Sequence, residues 1–371
     1  MLKVVMAGQR LLLTILTIII IIAAGCGEKV DEATFKKAQA EKLAQKKSNA
    51  TIFDGEKHFA NIRQITFGGQ NAEAYFSRDG SRLIFQSTRD GLSCDAIFTI
   101  NADGSEPKMV SSGKGTTSCG FIAPDDSYII YASTHLNQAD CPPKPDMSRG
   151  YVWGVYASFD IFKADPDGGN LVRLTETDGY DAEGVISPQG DKILFTSMRT
   201  GDLELFMMDI DGKNVEQLTD QAGYDGGGFF SYDGKSIVWR ASRPEGHALK
   251  EYQTLLKENL IRPGKLEIFM MNLKDRKPIQ LTDNGAANFG PYFHPNGRKI
   301  IFSSNLSDPK GRNFDLYLVD VSTKEIERIT YNETFDAFPM FSHDGQKLAF
   351  ASNRDNKEKG ETNIFIADWV D

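Results

Sequence analysis

The sequence predicts an all-β fold, a six-bladed β-propeller, on three observations. One turn-and-strand unit recurs six times; the strands after the turns are apolar without alternation; and the last unit lacks a strand that the start of the chain can supply. The turns are Ser77-Arg78-Asp79-Gly80, Ala123-Pro124-Asp125-Asp126, Ser187-Pro188-Gln189-Gly190, Ser231-Tyr232-Asp233-Gly234, His294-Pro295-Asn296-Gly297 and Ser342-His343-Asp344-Gly345. Proline early in such a turn and Asp-Gly or Asn-Gly late in it are hairpin chemistry, because the last residues need positive φ. Each turn is therefore read as joining the first two strands of a blade.

The runs that follow, among them Leu83-Ile84-Phe85, Ile193-Leu194-Phe195 and Ile300-Ile301-Phe302, are consecutively apolar. That pattern marks a strand covered on both faces, as a blade between two blades must be. Third strands open on Asp95-Ala96-Ile97-Phe98, Asp160-Ile161-Phe162, Glu204-Leu205-Phe206, Glu267-Ile268-Phe269, Asp315-Leu316-Tyr317 and Asn363-Ile364-Phe365. Fourth strands close on pairs such as Leu174-Thr175, Leu218-Thr219, Leu281-Thr282 and Ile329-Thr330. The sixth unit stops after its third strand, whereas Asn61-Ile62-Arg63-Gln64-Ile65-Thr66 reads as a fourth strand without a blade. Pairing the two would close the ring and remove an exposed sheet edge. Two long intervals between turns locate insertions near residues 136–156, in blade two, and 244–264, in blade four. The second is helical in composition from Ala248 to Leu260.

Ahead of the propeller, Lys3 and Arg10 precede an apolar run from Leu11 to Ile22, which ends on Ala23-Ala24-Gly25-Cys26. This is the three-part pattern of a signal peptide, and the run is too short to span a bilayer as a helix. The expected organisation is a signal peptide at 1–25, a tether at 26–57 with a short helix over 32–45, and the propeller at 58–371. The net charge of −9 and the lack of a basic patch exclude a nucleic-acid role as an expectation.

Candidate site residues come from the repeat. Asn71, Thr117, Asp181, Asp225, Asn288 and Asp336 stand at one equivalent position at the start of the first strands. First strands of a propeller line its channel, so these six are expected to form a polar ring at one mouth. Asp181, Asp225 and Asp336 would then suit a hard cation such as Ca²⁺, or the basic groups of a partner. The competing role is that each side chain caps its own connecting loop. Arg89, Arg199, Arg243 and Arg354 recur after the second strands and are expected to pair with the acid that opens the third. Cys94, Cys119 and Cys141 fall on one face of the ring, where an oxidising compartment permits a bridge. Cys119 with Cys141 is the favoured pair, and the other pairings stay open. The five histidines share no equivalent blade position.

The repeat resembles that of TolB, the periplasmic component of the Tol–Pal system, over residues 61 to 371. Ala23-Ala24-Gly25-Cys26 resembles a bacterial lipobox, which implies acylation of Cys26, and Gly27 implies sorting to the outer membrane. TolB carries an α/β domain before its propeller, and the interval from Cys26 to Asn61 holds none of that size. The resemblance thus implies a non-catalytic binding scaffold of the cell envelope, a lipoprotein facing the periplasm or the exterior. A protein or envelope ligand, such as a Pal-like partner, would dock at the channel mouth. The alternative from a second class is a propeller-type lyase or hydrolase acting on an acidic polysaccharide, whose relatives share this repeat.

Overall fold

A computed structural model describes residues 50–371 apart from 309, 310 and 312. Cys26, the 1–25 signal peptide and the 32–45 helix lie outside the described residues. Six four-stranded antiparallel sheets follow one another along the chain, the first five with the strands in sequence order from the innermost outward. The innermost strands are Gln70–Phe76, Thr117–Ile122, Asp181–Ile186, Asp225–Phe230, Asn288–Phe293 and Asp336–Phe341. In the sixth sheet the outermost strand is Phe59–Gln64, which pairs antiparallel with Asn363–Trp369. The ring closes as the strand count predicts.

The second and third strands carry the core. Phe85, Phe195, Trp239, Phe302 and Phe350 on second strands, with Phe162 and Phe365 on third strands, are among the largest fully buried side chains. Each stacks against the ring opposite it on the neighbouring strand, as in Phe350 with Phe365 at 5.9 Å and Phe302 with Tyr317 at 5.9 Å. Fully burying one such ring contributes roughly 1.5–3 kcal/mol, so the repeated pairs dominate cohesion within and between blades.

Closure has a polar clasp as well as a strand. Glu56, just ahead of the first strand, is buried against Arg354, with contacts at 3.1 and 3.2 Å, and Arg354 also reaches Asp336 at 3.0 Å. All three side chains are fully shielded from solvent. The arginine recurs as the sequence suggested, but its partner differs from expectation. Arg199 binds Asp181 at 3.1 Å, Arg243 binds Asp225 at 2.8 Å, and Arg354 binds Asp336: each partner opens the first strand, not the third. The guanidinium lies along the second-strand phenyl ring, 5.1 Å above Phe195 and 4.9 Å above Phe350, which aims it inward. Arg89 instead meets Asp90 of its own loop at 3.3 Å.

Both insertions are ordered. Blade four's forms α1 (Gly246–Lys257), which buries Tyr252, Leu255 and Leu256. Leu260–Ile261 beyond it pairs with Trp153–Gly154 of blade two's insertion in a separate two-stranded sheet. The two loops thereby bridge blade three. Cys94 is bonded to Cys141, with their Cα atoms 5.8 Å apart, so the favoured Cys119–Cys141 pair is corrected. Cys119 is buried in the innermost strand of blade two, where its thiol donates to Glu73 Oε2 at 2.9 Å and is turned away from the loops.

Candidate functional site

Every innermost strand has the same irregularity. Pairing shifts after the second or third residue, as between Ala72 and Tyr75 or between Ala182 and Val185. The extra residue takes positive φ, from 52° to 59°, at Glu73, Cys119, Glu183, Gly227, Gly290 and Phe338. This is a β-bulge, which turns a side chain out of the alternation and leaves an N–H outside the ladder. Neighbouring blades satisfy several of those N–H groups. Cys119 N donates to Gln86 at 3.1 Å, Gly227 N to Glu183 at 2.9 Å, and Phe338 N to Ser303 at 2.9 Å.

The bulge decides which side chains face the channel. Glu73, Cys119, Glu183, Gly227, Gly290 and Phe338 line a neck of about 20 Å³, enough for about one water. The six residues expected at the mouth do not line this neck. Asn71, Thr117, Asp181, Asp225, Asn288 and Asp336 are at most 2% exposed. Each caps the loops beside its strand. Asn71 Nδ2 donates to Thr362 O at 2.8 Å, Thr117 Oγ1 to Asp95 O at 3.0 Å, and Asn288 Nδ2 to Leu266 O at 2.7 Å. The three aspartates are engaged by their arginines, with Trp239 Nε1 adding a 2.6 Å bond to Asp225. Asp181, Asp225 and Asp336 are therefore not brought together as a Ca²⁺ site. No three His, Cys, Asp or Glu side chains among the described residues converge on a metal-sized point.

The neck's electrostatics centre on Arg240, 8% exposed. It donates to Glu183 and, at 2.8 Å, to Tyr224 Oη, while its guanidinium lies 5.4 Å from the Tyr224 ring and 5.9 Å from that of Trp153. Burial works against its charge, but the Glu183 carboxylate outweighs that and holds the guanidinium more basic than usual. Glycine is required at 227, where φ is +59° and a Cβ would stand 1.9 Å from Arg240 Nη1. Glu73 has no arginine of its own. Burial pushes its carboxyl up to about 7, offset in part by the Cys119 thiol. Burial likewise raises the Cys119 thiol well above its ordinary value, with the Glu73 and Glu183 carboxylates adding to it. That thiol stays protonated at neutral pH and is a poor nucleophile.

Two residues below the bulge, Tyr75, Phe121, Val185, Phe229, Tyr292 and Met340 form an apolar layer. Tyr75 meets Phe121 at 6.0 Å and Phe229 at 5.4 Å, and Phe229 meets Tyr292 at 5.2 Å, so rings from blades one and four touch across the axis. Arg78 then reaches Pro188 O at 2.9 Å and Tyr232 reaches Phe341 O at 3.2 Å, tying turns two blades apart together around a pit of about 70 Å³. The channel is blind at the turn face.

At the loop face it widens unevenly. An aromatic arc runs from Trp153 to Phe289 (5.0 Å), Phe314 (5.5 Å) and Phe335 (6.2 Å). Between blades six and one lies an open depression of about 330 Å³ lined by Gln70, Gln86, Asp95, Phe335, Phe338 and Thr362, with Asn71 and Ala72 in its wall. Phe338 borders both the depression and the neck. The sequence reading places the channel-facing ring two residues too early, because nothing in the spacing marks the bulge. The available signal was a glycine or glutamate two positions after four of the six loop-capping residues, at Glu73, Glu183, Gly227 and Gly290.

No family model matches the chain, and no curated protein sequence matches it. Solved structures do. TolB from Acinetobacter baumannii superposes with a TM-score of 0.54 at 19% identity, covering 81% of this chain, which spans 64% of that protein. A putative TolB from Agrobacterium tumefaciens gives 0.56 at 17% identity, covering 84% of this chain and 97% of the other. An oligogalacturonate lyase in complex with manganese gives 0.52 at 14% identity, covering 87% and 97%. At these identities the likeness is one of fold, shared by binding proteins and enzymes alike. The chain is thus a six-bladed β-propeller with the architecture of the TolB propellers.

Proposed function

We propose that this protein is a non-catalytic binding scaffold of the cell envelope, anchored to the outer membrane through lipidated Cys26, and that it receives a protein or envelope ligand, such as a Pal-like partner, at the loop-face mouth. One observation carries the reading. The channel is blind, with an apolar layer beneath a neck of about 20 Å³, so a ligand engages the mouth without entering or crossing the ring. Surrounding features agree with it. Two ordered insertions, one of them held by the Cys94–Cys141 bond, raise a rigid wall beside the mouth. The protonated Cys119 thiol and the Arg240–Glu183 pair serve the stability of the neck rather than bond breaking. The similarity to TolB structures supports a protein partner, and among the described residues no helix is long and apolar enough to cross a membrane.

A photoreactive residue at Gln70 or, as control, at Arg78 tests the assignment in intact cells. Adducts from the mouth position and none from the turn position are expected. Equal adduct formation at both, or none at the mouth, would reject it. Cleavage of oligogalacturonate by the purified chain would replace it with the lyase reading.

A further inference from the structure

The residue just before each third strand has a defined structural duty. Its carbonyl accepts the amide of the residue that opens the next blade: Phe159 O from Asp181, Leu203 O from Asp225, Leu266 O from Asn288, Phe314 O from Asp336, Thr362 O from Asn71. The side chain covers the loop face, and Leu203 and Leu266 are at most 1% exposed. In blade one the carbonyl is that of Asp95, which accepts from Thr117 N at 2.9 Å. A carboxylate therefore stands where four blades carry Phe or Leu. The acid of the repeat proper is replaced there: Asp160 pairs with Arg173 and Asp315 with Arg328, both at 2.8 Å, whereas blade one holds Ala96 and Met109 at those positions.

The Asp95 backbone thus does what the fold asks of its position, while its side chain departs from the Phe or Leu that four other blades place there. Burial raises its carboxyl above the ordinary range, and among the described residues the Thr88 hydroxyl is the one side chain donating to it. Among the described residues it forms no ion pair. It lines the 330 Å³ depression with Gln70 and Gln86 on its own side and Phe335 and Phe338 on the other. The charge of Asp95 is felt at Glu73 in the neck, and Arg240 there is already engaged by Glu183. A desolvated carboxylate facing aromatic rings is the surrounding that an ammonium or guanidinium group prefers, since it meets a counter-ion and the negative ring faces together. The volume lies in the range of small-ligand sites.

We propose that this depression binds an organic cation, with Asp95 as its counter-ion and Phe335 and Phe338 as its aromatic walls. The proposal rests on the mouth reading above and names the chemistry of what docks there. Two sources offer such a group: a lysine or arginine of a partner chain, or a free polyamine.

Calorimetric titration of the full chain with acetyl-Gly-Lys-Gly-amide, its norleucine counterpart and spermidine tests it. The lysine peptide, spermidine or both should bind, and the neutral norleucine peptide should not. Tighter binding of the lysine peptide assigns the site to a protein partner, and tighter binding of spermidine to a free polyamine. Asp95→Leu restores the residue type of the other blades, so it should fold and melt no lower than the parent while losing at least about tenfold in cation affinity. Phe338→Leu should weaken binding severalfold. Undiminished affinity in Asp95→Leu, equal binding of the norleucine peptide, or no binding of either cation at millimolar concentration overturns the proposal. If mouth adducts in cells persist under any of those results, only the cation chemistry has failed; if the wild-type mouth gives no adducts, the mouth reading has failed on its own.

Discussion

Blades six and one are neighbours built on the same repeat, yet they use charge in opposite ways. In blade six Arg354 lies between Asp336 and Glu56 with all three side chains shielded, and the cluster holds the N-terminal segment against the closing sheet. In blade one the equivalent first-strand position is Asn71, the third- and fourth-strand pair is Ala96 and Met109, and two carboxylates, Glu73 and Asp95, face the channel and its mouth with no arginine ion pair among the described residues. Where the ring must close, charge is internal and compensated. Beside that seam, charge is left for something else to compensate.

Breaking the clasp should have the largest effect. Arg354→Leu strands two buried carboxylates, and removing one partner of a buried ion cluster costs about 3–5 kcal/mol. Chemical denaturation should show that loss, and a change below about 1 kcal/mol would mean that strand pairing alone seals the ring. The blade-one side is stapled differently. Cys94 and Cys141 are 47 residues apart, and opening a loop of that size should cost up to about 4 kcal/mol on the chain-entropy model. Cys94→Ser with Cys141→Ser should lower the melting temperature without altering the pairing of Phe59–Gln64 with Asn363–Trp369, and amide exchange can follow both.

The contrast also has a pH signature. Glu73 ionises near its ordinary 4.5 when unfolded and at about 7 in the folded chain. Between those values the folded state holds a proton that the unfolded state has released. Stability contributed by the protonated carboxyl is therefore complete below the lower value and declines as pH rises through the window, by at most about 1.4 kcal/mol per pH unit. Glu73→Gln should flatten that part of the stability profile. An unchanged profile would place the titration elsewhere, at other raised carboxyls such as Glu204 (about 8) and Asp225 (about 6). The smallest effect belongs to Asp95→Leu, which removes a desolvated charge and should raise stability by about 1 kcal/mol; a loss of similar size would show that the carboxylate is structural.

Much of the fold was legible in the chain. Hairpin turns and doubly covered strands are written in residues two to five positions apart, and the missing sixth-blade strand could be matched to Ile62 and its neighbours by counting. The site was less legible. Asp181 and Asp225 were recognised as equivalent and polar, but their direction depends on the bulge two residues on, which reverses what faces the channel. In blade one the third-strand acid reads as Asp95 by proximity to Ile97-Phe98, whereas the ladder assigns that position to Ala96 and leaves Asp95 at the mouth.

The sequence by itself determined the repeat, the number of blades, the closing strand and the two insertions, because turn chemistry and strand burial are short-range properties that each blade states afresh. Tertiary structure alone decided that Arg354 joins Glu56 to Asp336, that Cys94 rather than Cys119 reaches Cys141, and that Glu73 and Asp95 face the opening. Those outcomes turn on a single extra residue in each innermost strand and on segments 47 to about 300 residues apart meeting in space, and neither is expressed in the local spacing of side chains.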